Sequence, residues 1–257
     1  MRKNRQLLNA YGVCVLLLAA MLTSGEQTAP MGSAPTTNLL RNVVARLPQE
    51  SLAISGQLHV RRARGIPVAN YGFEMRINWG DTPPGATYTI STTDGIPLEQ
   101  LSLTRLTDGE AQYRYFEGAT LEPKDAPPLS HAIRDTDISW TDLTLDFLWW
   151  PRCVLVGEDS VRGRAAIVAD VYPPDGLAQP PYSRVRVWID QQAFFLLRAQ
   201  GYNAQDTLKR ELWVKSFKKI DDRWMIKDLE VQRYPSKQRT KLRVYHAESV
   251  EEVDSDG

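Results

Sequence analysis

The amino-acid sequence predicts an α+β fold that is mainly antiparallel β, in which one long sheet curls around a helix. Most of the chain between residues 52 and 245 alternates apolar and polar side chains, as strands with one dry and one wet face do. Residues 139–150 instead form a helix that is apolar on most sides and must be covered on most sides. The 257 residues suffice for one large β domain, and no period marks a repeat array.

The first residues have the pattern of an export signal. A positive start with Arg2, Lys3 and Arg5 precedes an apolar run at residues 11–22 and small residues at 23–25. The run is shorter than the ~20 apolar residues that cross a bilayer comfortably. We predict a cleaved signal peptide over residues 1–25 and a periplasmic protein, with an uncleaved anchor as the alternative.

The segments around the predicted domain carry little structural information. Residues 26–37 are rich in Pro, Thr, Ser and Ala and predict a flexible linker, and the acidic residues 247–257 predict a disordered tail. The domain then covers residues 38–246. Cys14 has no lipobox before it, so we do not expect a lipid anchor. Cys153 remains as a single cysteine after cleavage, which excludes an intramolecular disulfide.

Charge and motifs exclude several classes of function. Lysine and arginine number 31, as do aspartate and glutamate, whereas a nucleic-acid-binding protein needs a basic excess. The three histidines have no partners at metal-ligand spacing. The sequence has no phosphate loop, dinucleotide fingerprint or nucleophile elbow. We therefore expect no nucleic acid partner, no metal and no cofactor.

The first half of the domain predicts a helix and about five strands. Residues 39–47 form an amphipathic helix that begins at Asn38 and ends at Pro48. Hairpin signals lie at Asp94-Gly95 and Asp108-Gly109. The strands are predicted at residues 52–60 and 70–79, around Tyr88 and Ile90, around Leu101 and Leu103, and at residues 111–115.

The apolar side of these strands is unusually aromatic. A sealed core prefers Leu, Ile and Val, whereas a cavity with amphipathic walls suits Tyr, Trp and Met. If the alternation of a strand is assigned one residue out, all its side chains move to the opposite face of the sheet. The alternative is therefore that these aromatic residues belong to an ordinary packed core. We assign to the wall of a ligand-binding cavity the side chains of Tyr71, Phe73, Met75, Trp79 and Tyr88.

Residues 118–137 predict a crossing loop that leads to the helix at 139–150. Ser139 followed by Asp142 resembles a capping box, and Pro151 ends the helix. The helix packs on the sheet as core, or it covers a ligand-binding cavity as a plug, and both can hold. We assign to the plug the residues of one face: Trp140, Leu143, Phe147 and Trp150.

Asp142 and Asp146 form the polar edge of this helix. Two carboxylates could act as the acid and base of a glycosidase, but those face each other across a cleft ~5–9 Å wide. Two aspartates one helical turn apart are more simply a solvated stripe. An enzyme that uses Asp142 has no motif behind it, so we expect a protein without catalytic activity.

After the helix, about six more strands are predicted up to residue 245. The last of them are basic, through Lys215, Lys218, Lys219, Lys237, Arg239, Lys241 and Arg243. The simplest interpretation is a charged wet face that blunts the edges of the sheet. The alternative is a surface that contacts anionic headgroups or an acidic partner.

Three segments resemble outer-membrane lipoprotein-sorting-like proteins, the LolA-like group. They are residues 136–143 (TDISWTDL), 182–190 (YSRVRVWID) and 218–224 (KKIDDRW). The resemblance implies an incomplete, half-open β-barrel of about eleven strands wrapped around a few helices, with an apolar cavity. Members of this group carry lipoprotein acyl chains or lipids across the periplasm, or sense them. The resemblance carries over no binding residue.

We therefore expect a monomeric periplasmic carrier that shields lipoprotein acyl chains or other lipid in an apolar cavity on the way to the outer membrane. Burial of each CH₂ group contributes ~0.8 kcal/mol, so a long acyl chain binds without specific chemistry. The alternative is a lipid or lipoprotein sensor or adaptor of the same fold, which docks through its basic strands on an inner- or outer-membrane protein partner.

Overall fold

Thirteen antiparallel strands form one open sheet in the part of the chain that this computed structural model describes. The described residues are 34–106, 110–177, 180–220 and 223–250, and all of them belong to one compact unit, Ser33–Gly257. The predicted signal peptide, residues 1–25, lies outside the described residues. So do most of the predicted linker and residues 251–257 of the predicted tail.

The strands follow one another along the chain in two groups. The first group is β1 (Leu52–Arg61), β2 (Pro67–Asn78), β3 (Gly85–Ser91), β4 (Pro97–Arg105), β5 (Ala111–Glu117) and β6 (Glu122–Lys124). The second group is β7 (Arg152–Val161), β8 (Arg164–Tyr172), β9 (Arg184–Asp190), β10 (Leu196–Tyr202), β11 (Leu208–Ile220), β12 (Arg223–Arg233) and β13 (Arg239–Ser249).

The chain fills the sheet from its centre. β1 pairs with β13 in the middle, β1 to β6 extend to one edge, and β7 to β13 return from the other edge. The segment between β6 and β7 therefore passes from edge to edge, and its apolar side chains join the core on the inner face. The basic strands β11 and β13 lie inside the sheet, so the expectation that their charges blunt its edges is wrong.

Helical elements cover the inner face: α1 (Ala34–Val44), α2 (Trp140–Thr144) and a 3₁₀ turn (Asp146–Trp149). The predicted capping box is confirmed, because Ser139 and Asp142 each accept a hydrogen bond from the backbone of the other. The continuous helix predicted over residues 139–150 is wrong. Leu145 adopts the left-handed conformation, with φ of 52°, and ends α2. None of the helices in the described ranges is long and apolar enough to cross a membrane.

The predicted alternation of side chains is visible in their burial. The inner side chains of β1 are buried, namely Leu52, Ile54, Leu58 and Val60. On β2, Phe73 and Ile77 are buried, and Met75 and Trp79 pack against them from the same side. One core cluster contains residues of both strand groups, α1, α2 and the 3₁₀ turn.

The predicted fold class is confirmed as mainly antiparallel β with few helices, and two details differ. The described sheet has thirteen strands instead of about eleven, and β6 forms within residues 118–137, which were predicted as a loop. α1 begins at Ala34, inside the predicted linker, and β13 continues to Ser249, inside the predicted tail. The sheet is open, with β6 and β7 at its edges.

Candidate functional site

An apolar cavity of about 210 Å³ lies between the helical elements and the inner face of the sheet. Its helical wall contains Val43, Leu47, Leu143, Leu145 and Leu148. Its sheet wall is built mostly from aromatic and aliphatic side chains of both strand groups, including Ile54, Phe73, Met75, Ile77, Trp79, Tyr88, Phe217, Met225, Ile226, Leu229, Leu242 and Val244. Such a surface can bury an apolar group and offers little chemistry beyond that.

The structure brings together the predicted residues Phe73, Met75, Trp79, Tyr88 and Leu143, which all line this cavity. Tyr88 is buried, and its burial raises the pKa of its hydroxyl, so the hydroxyl stays neutral. Met75 and Trp79 are half-buried, which leaves part of their surface at the cavity. Their role in ligand binding stays a prediction.

The other four predicted residues do not line the cavity. Trp140 and Phe147 are each 1% exposed and Trp150 is 5% exposed, so these plug residues are core side chains. Tyr71 is half-buried, and its hydroxyl donates a hydrogen bond of 3.2 Å to Asp135 Oδ2. None of the four lines this cavity, although Trp150 lines the adjoining one, and their role in ligand binding stays a prediction.

Sequence reasoning missed several wall residues of the second strand group. Phe217 lines the cavity because β11 shifts register between Val214 and Phe217, so simple alternation fails there. Its ring stacks on Phe195 at 5.4 Å between centroids. Phe194, also in the wall, has a φ of 57° in the turn before β10. No local sequence pattern predicts the bulge in β11 or the turn conformation of Phe194.

A second cavity of about 580 Å³ adjoins the first. The two share Leu47, Trp79, Leu148 and Trp149, which therefore separate them. The rings of Trp79 and Trp149 lie 5.3 Å apart, and the guanidinium group of Arg105 covers Trp149 at 3.8 Å. A tilted aromatic pair, with one cation over the Trp149 ring, thus forms much of the partition.

Asp142 anchors α2 to the second strand group. Its Oδ2 accepts hydrogen bonds from the backbone N–H and the hydroxyl of Ser139, at 2.9 and 2.6 Å. The Tyr182 hydroxyl donates to Oδ1 at 2.7 Å, and Arg210 Nε lies 3.5 Å from Oδ2. Burial, reinforced by the Asp142 charge, raises the pKa of Tyr182 and keeps it a neutral donor.

Asp146 anchors the 3₁₀ turn to the first strand group. Arg105 and Tyr113 donate to its Oδ1 at 2.8 and 3.0 Å, and Trp150 Nε1 donates to Oδ2 at 3.2 Å. The expectation that Asp142 and Asp146 form a solvated stripe is therefore wrong. Each carboxylate is held by donors from strands or loops that are distant in sequence.

The cavity wall has a few polar members, Arg46, Asp142 and Thr144, and Thr144 differs from Asp142 in having no internal partner within the described part of the chain. Its residue is 2% exposed, and its Oγ1 has no hydrogen-bond partner among the described residues. A threonine inside a helix usually donates to the carbonyl oxygen four residues earlier. The wall therefore contains one buried hydroxyl whose hydrogen-bonding capacity is unused.

No histidine or cysteine of the described residues lines the first cavity, and Cys153 lines the adjoining one. The described residues contain no group of three or more His, Cys, Asp or Glu side chains placed to hold a metal ion. His59 bonds to Asn70 at 2.9 Å and to Tyr245 at 3.2 Å on the outer face. Cys153 is half-buried, and burial, with the charge of Asp170, raises the pKa of its thiol to about 11.

Comparison with solved structures identifies the fold. A DUF1329 family protein from Desulfovibrio piger is 17% identical, with a TM-score of 0.70 over 83% of this chain and 91% of that one. A protein domain from Vibrio parahaemolyticus, named for outer membrane lipoprotein sorting, is 14% identical, with a TM-score of 0.72 over 86% and 96%. A LolA superfamily protein from Nitrosomonas europaea is 14% identical, with a TM-score of 0.62 over 84% and 94%.

Comparison of sequences gives a family. No curated protein matches the chain. Residues 100–256, which are more than half of the chain, match the model of a family described as "Uncharacterized protein". The chain belongs to that family, and it has the LolA-like fold that its sequence motifs indicated.

Proposed function

We propose that this protein is a periplasmic carrier that shields an acyl chain of a lipoprotein, or another lipid, on the way to the outer membrane. The observation that carries the proposal is the apolar cavity between the helical elements and the inner face of the sheet. The predicted export signal supports the periplasmic location. The LolA-like fold, shared with a domain named for lipoprotein sorting, supports the class of cargo.

The cavity suits a hydrocarbon chain by its composition. Phe73, Met75 and Trp79 combine a large apolar surface with an adaptable thioether, which follows the shape of a flexible chain. Each CH₂ group that leaves water contributes ~0.8 kcal/mol. The driving force is desolvation, so the carrier needs no charged contact within the cavity.

The cavity of about 210 Å³ is smaller than most ligand pockets, which measure ~300–1,000 Å³. The adjoining cavity of about 580 Å³ lies behind the Trp79–Trp149 pair. Rotation of these two half-buried rings would join the cavities. We therefore propose that an acyl chain enters by displacing this pair, and that the buried Asp142 anchor keeps α2 in place.

The contacts of the two aspartates give them a structural role. Both oxygens of Asp142 and both oxygens of Asp146 accept hydrogen bonds from the protein itself. These carboxylates act as structural anchors.

Native mass spectrometry of the mature chain, purified without detergent from a periplasmic extract, tests the proposal. We expect added mass that dissociates as a lipid or an acylated peptide. A bare chain that also takes up no added phospholipid or acyl peptide would show that the aromatic face is simply core.

A pair of variants locates the binding site. Met75→Lys places a charge in the half-buried wall, and we expect uptake of a fluorescent acyl probe to fall at least tenfold, since burial of an unpaired charge is costly. Gln112→Lys adds the same side chain at an exposed position of β5 and serves as the matched control. Equal uptake by both folded variants would place the lipid elsewhere.

A further inference from the structure

We propose that a basic groove on the outer face of the sheet docks an acidic polypeptide segment of a partner protein. The groove has a volume of about 560 Å³ and six cationic residues in its lining: Arg61, Arg62, Arg64, Lys237, Arg239 and Lys241. His59 and Gln232 complete its floor, and Glu230 is its one carboxylate. This inference is independent of the lipid cavity and of its cargo.

Strand register brings these cations together. Arg61 of β1 lies directly opposite Arg239 of β13, and His59 lies opposite Lys241. The alternation that buries Val60 and Thr240 points their neighbours outward. The turn after β1, with Arg64 at a φ of 61°, adds its cations from one side, and the turn before β13 adds Lys237.

Carboxylates neutralise only the inner part of the groove. Glu230 lies 3.0 Å from Lys215 and 3.5 Å from Arg239, and Asp228 lies 3.1 Å from Lys241. Arg61, Arg62, Arg64 and Lys237 make no ion pair within the described part of the chain. A chain with no net charge thus concentrates unpaired positive charge at one end of three adjacent strands.

The arrangement works against stability. Like charges directly opposite each other on neighbouring strands are destabilising, as Arg61 and Arg239 are. Guanidinium groups bind carboxylates in a bidentate fork, so an acidic segment would turn this repulsion into attraction. A binding role explains why four unpaired cations converge there.

The shape favours a peptide over a membrane. A bilayer presents its headgroups as a flat array, which meets flat or convex basic surfaces, whereas these cations line a groove that admits a protruding chain. The groove also lies on the outer face of β1, β12 and β13, whose inner side chains Ile54, Leu229 and Leu242 line the apolar cavity. A docked partner would therefore leave the cavity unobstructed.

Fluorescence anisotropy with a labelled ten-residue glutamate peptide tests the inference. We expect the wild-type chain to bind the peptide at low salt and to release it as the salt concentration rises. Arg62→Glu with Arg64→Glu should weaken binding roughly tenfold or more. Arg114→Glu with Lys124→Glu makes the same change of charge at exposed positions of β5 and β6, and should leave binding within about twofold.

Three outcomes would overturn the proposal. Equal weakening in both double variants would mean that the peptide responds only to net charge. Absence of binding by the wild-type chain at low salt would mean that the groove does not take acidic segments. Preferential capture of the wild-type chain by phosphatidylglycerol vesicles, with the peptide displaced, would assign the groove to a membrane surface.

A stability measurement separates docking from a purely structural role. Arg61→Glu replaces the repulsion between residues 61 and 239 by an attraction, so the melting temperature of this variant should rise. The affinity of the variant for the glutamate peptide should nevertheless fall at least tenfold. A variant that loses stability and affinity together would mean that Arg61 acts only through the fold.

Discussion

Asp142 and Asp146 are four residues apart, yet they hold different halves of the molecule. The side chain of Asp142 is 6% exposed and is held by Tyr182 and by Arg210 of β11, which belong to the second half of the domain. The side chain of Asp146 is 16% exposed and is held by Arg105 of β4 and Tyr113 of β5, in the first half. The left-handed residue Leu145 separates the two environments.

The difference between the two anchors explains how the segment at residues 140–149 can both pack in the core and line a cavity. The Asp142 anchor is buried and includes the helix cap, so its opening would disrupt α2 itself. The Asp146 anchor is partly accessible to water and adjoins Trp149 of the partition between the cavities. If the segment moves to admit a ligand, the Asp146 end is the one that opens.

The largest effect is expected when the buried anchor is broken. Asp142→Ala leaves Arg210 as a buried charge without its partner and removes the capping box, so the free energy of unfolding should fall by about 3–5 kcal/mol. Urea denaturation measures the loss. Asp125→Ala, at an exposed position without an ion pair among the described residues, is the control for removal of an aspartate. A loss below about 1 kcal/mol would refute the anchoring role.

The second anchor should cost less to break. Asp146→Ala removes three hydrogen bonds but no helix cap, and Asp146 itself is partly exposed, so we expect a loss of about 2–3 kcal/mol. The variant should also exchange a fluorescent acyl probe faster than Asp142→Ala does, when both are compared at equal folded fraction. Equal exchange rates would contradict the assignment of the moving end.

The tyrosines beside the anchors predict a dependence on alkaline pH. Burial, with the adjacent Asp142, raises the pKa of Tyr182 above its unfolded value near ~10. The stability from its neutral form is present below that pH and is lost as the unfolded tyrosine ionises above it. Tyr182→Phe should cost about 1.5 kcal/mol at pH 8, through the bond to Asp142. The cost should shrink by pH 11, and a constant difference between pH 8 and 11 would contradict the shift.

The sequence supplies the local features of this fold and leaves its long-range contacts open. Alternation over residues 52–60 and 70–79 identifies β1 and β2, and the residues at 139 and 142 identify the helix cap. The meeting of β1 with β13 could not be predicted, because the choice of strand partner depends on the whole chain. The buried aspartates were misassigned because Arg105 and Arg210, distant in sequence, supply their partners.

The candidate site also has a part that the local sequence predicts and a part that depends on long-range contacts. Phe73, Met75 and Ile77 of β2 alternate onto the cavity side, since parity is a local property, whereas Tyr71 of the same face lies outside the wall. The predicted helix at 139–150 is interrupted at Leu145, so of its predicted face Leu143 lines the cavity while Phe147 and Trp150 pack as core, the alternative that the sequence left open. Phe217 entered the wall through a change of register that no sequence pattern marks.

The smallest expected effect lies between the two anchors, at Thr144. Its buried hydroxyl has no partner among the described residues, and burial of an unsatisfied polar group costs about 1–3 kcal/mol. Thr144→Val keeps the shape and removes the hydroxyl, so the ligand-free protein should gain about 1 kcal/mol in its free energy of unfolding. Thr141→Val is the matched control, since the Thr141 hydroxyl donates to the carbonyl oxygen of Leu129 and its removal should destabilise. If Thr144→Val also destabilises the ligand-free protein, the hydroxyl has a partner in solution, and the wall of the cavity is more polar than the packing of its side chains indicates.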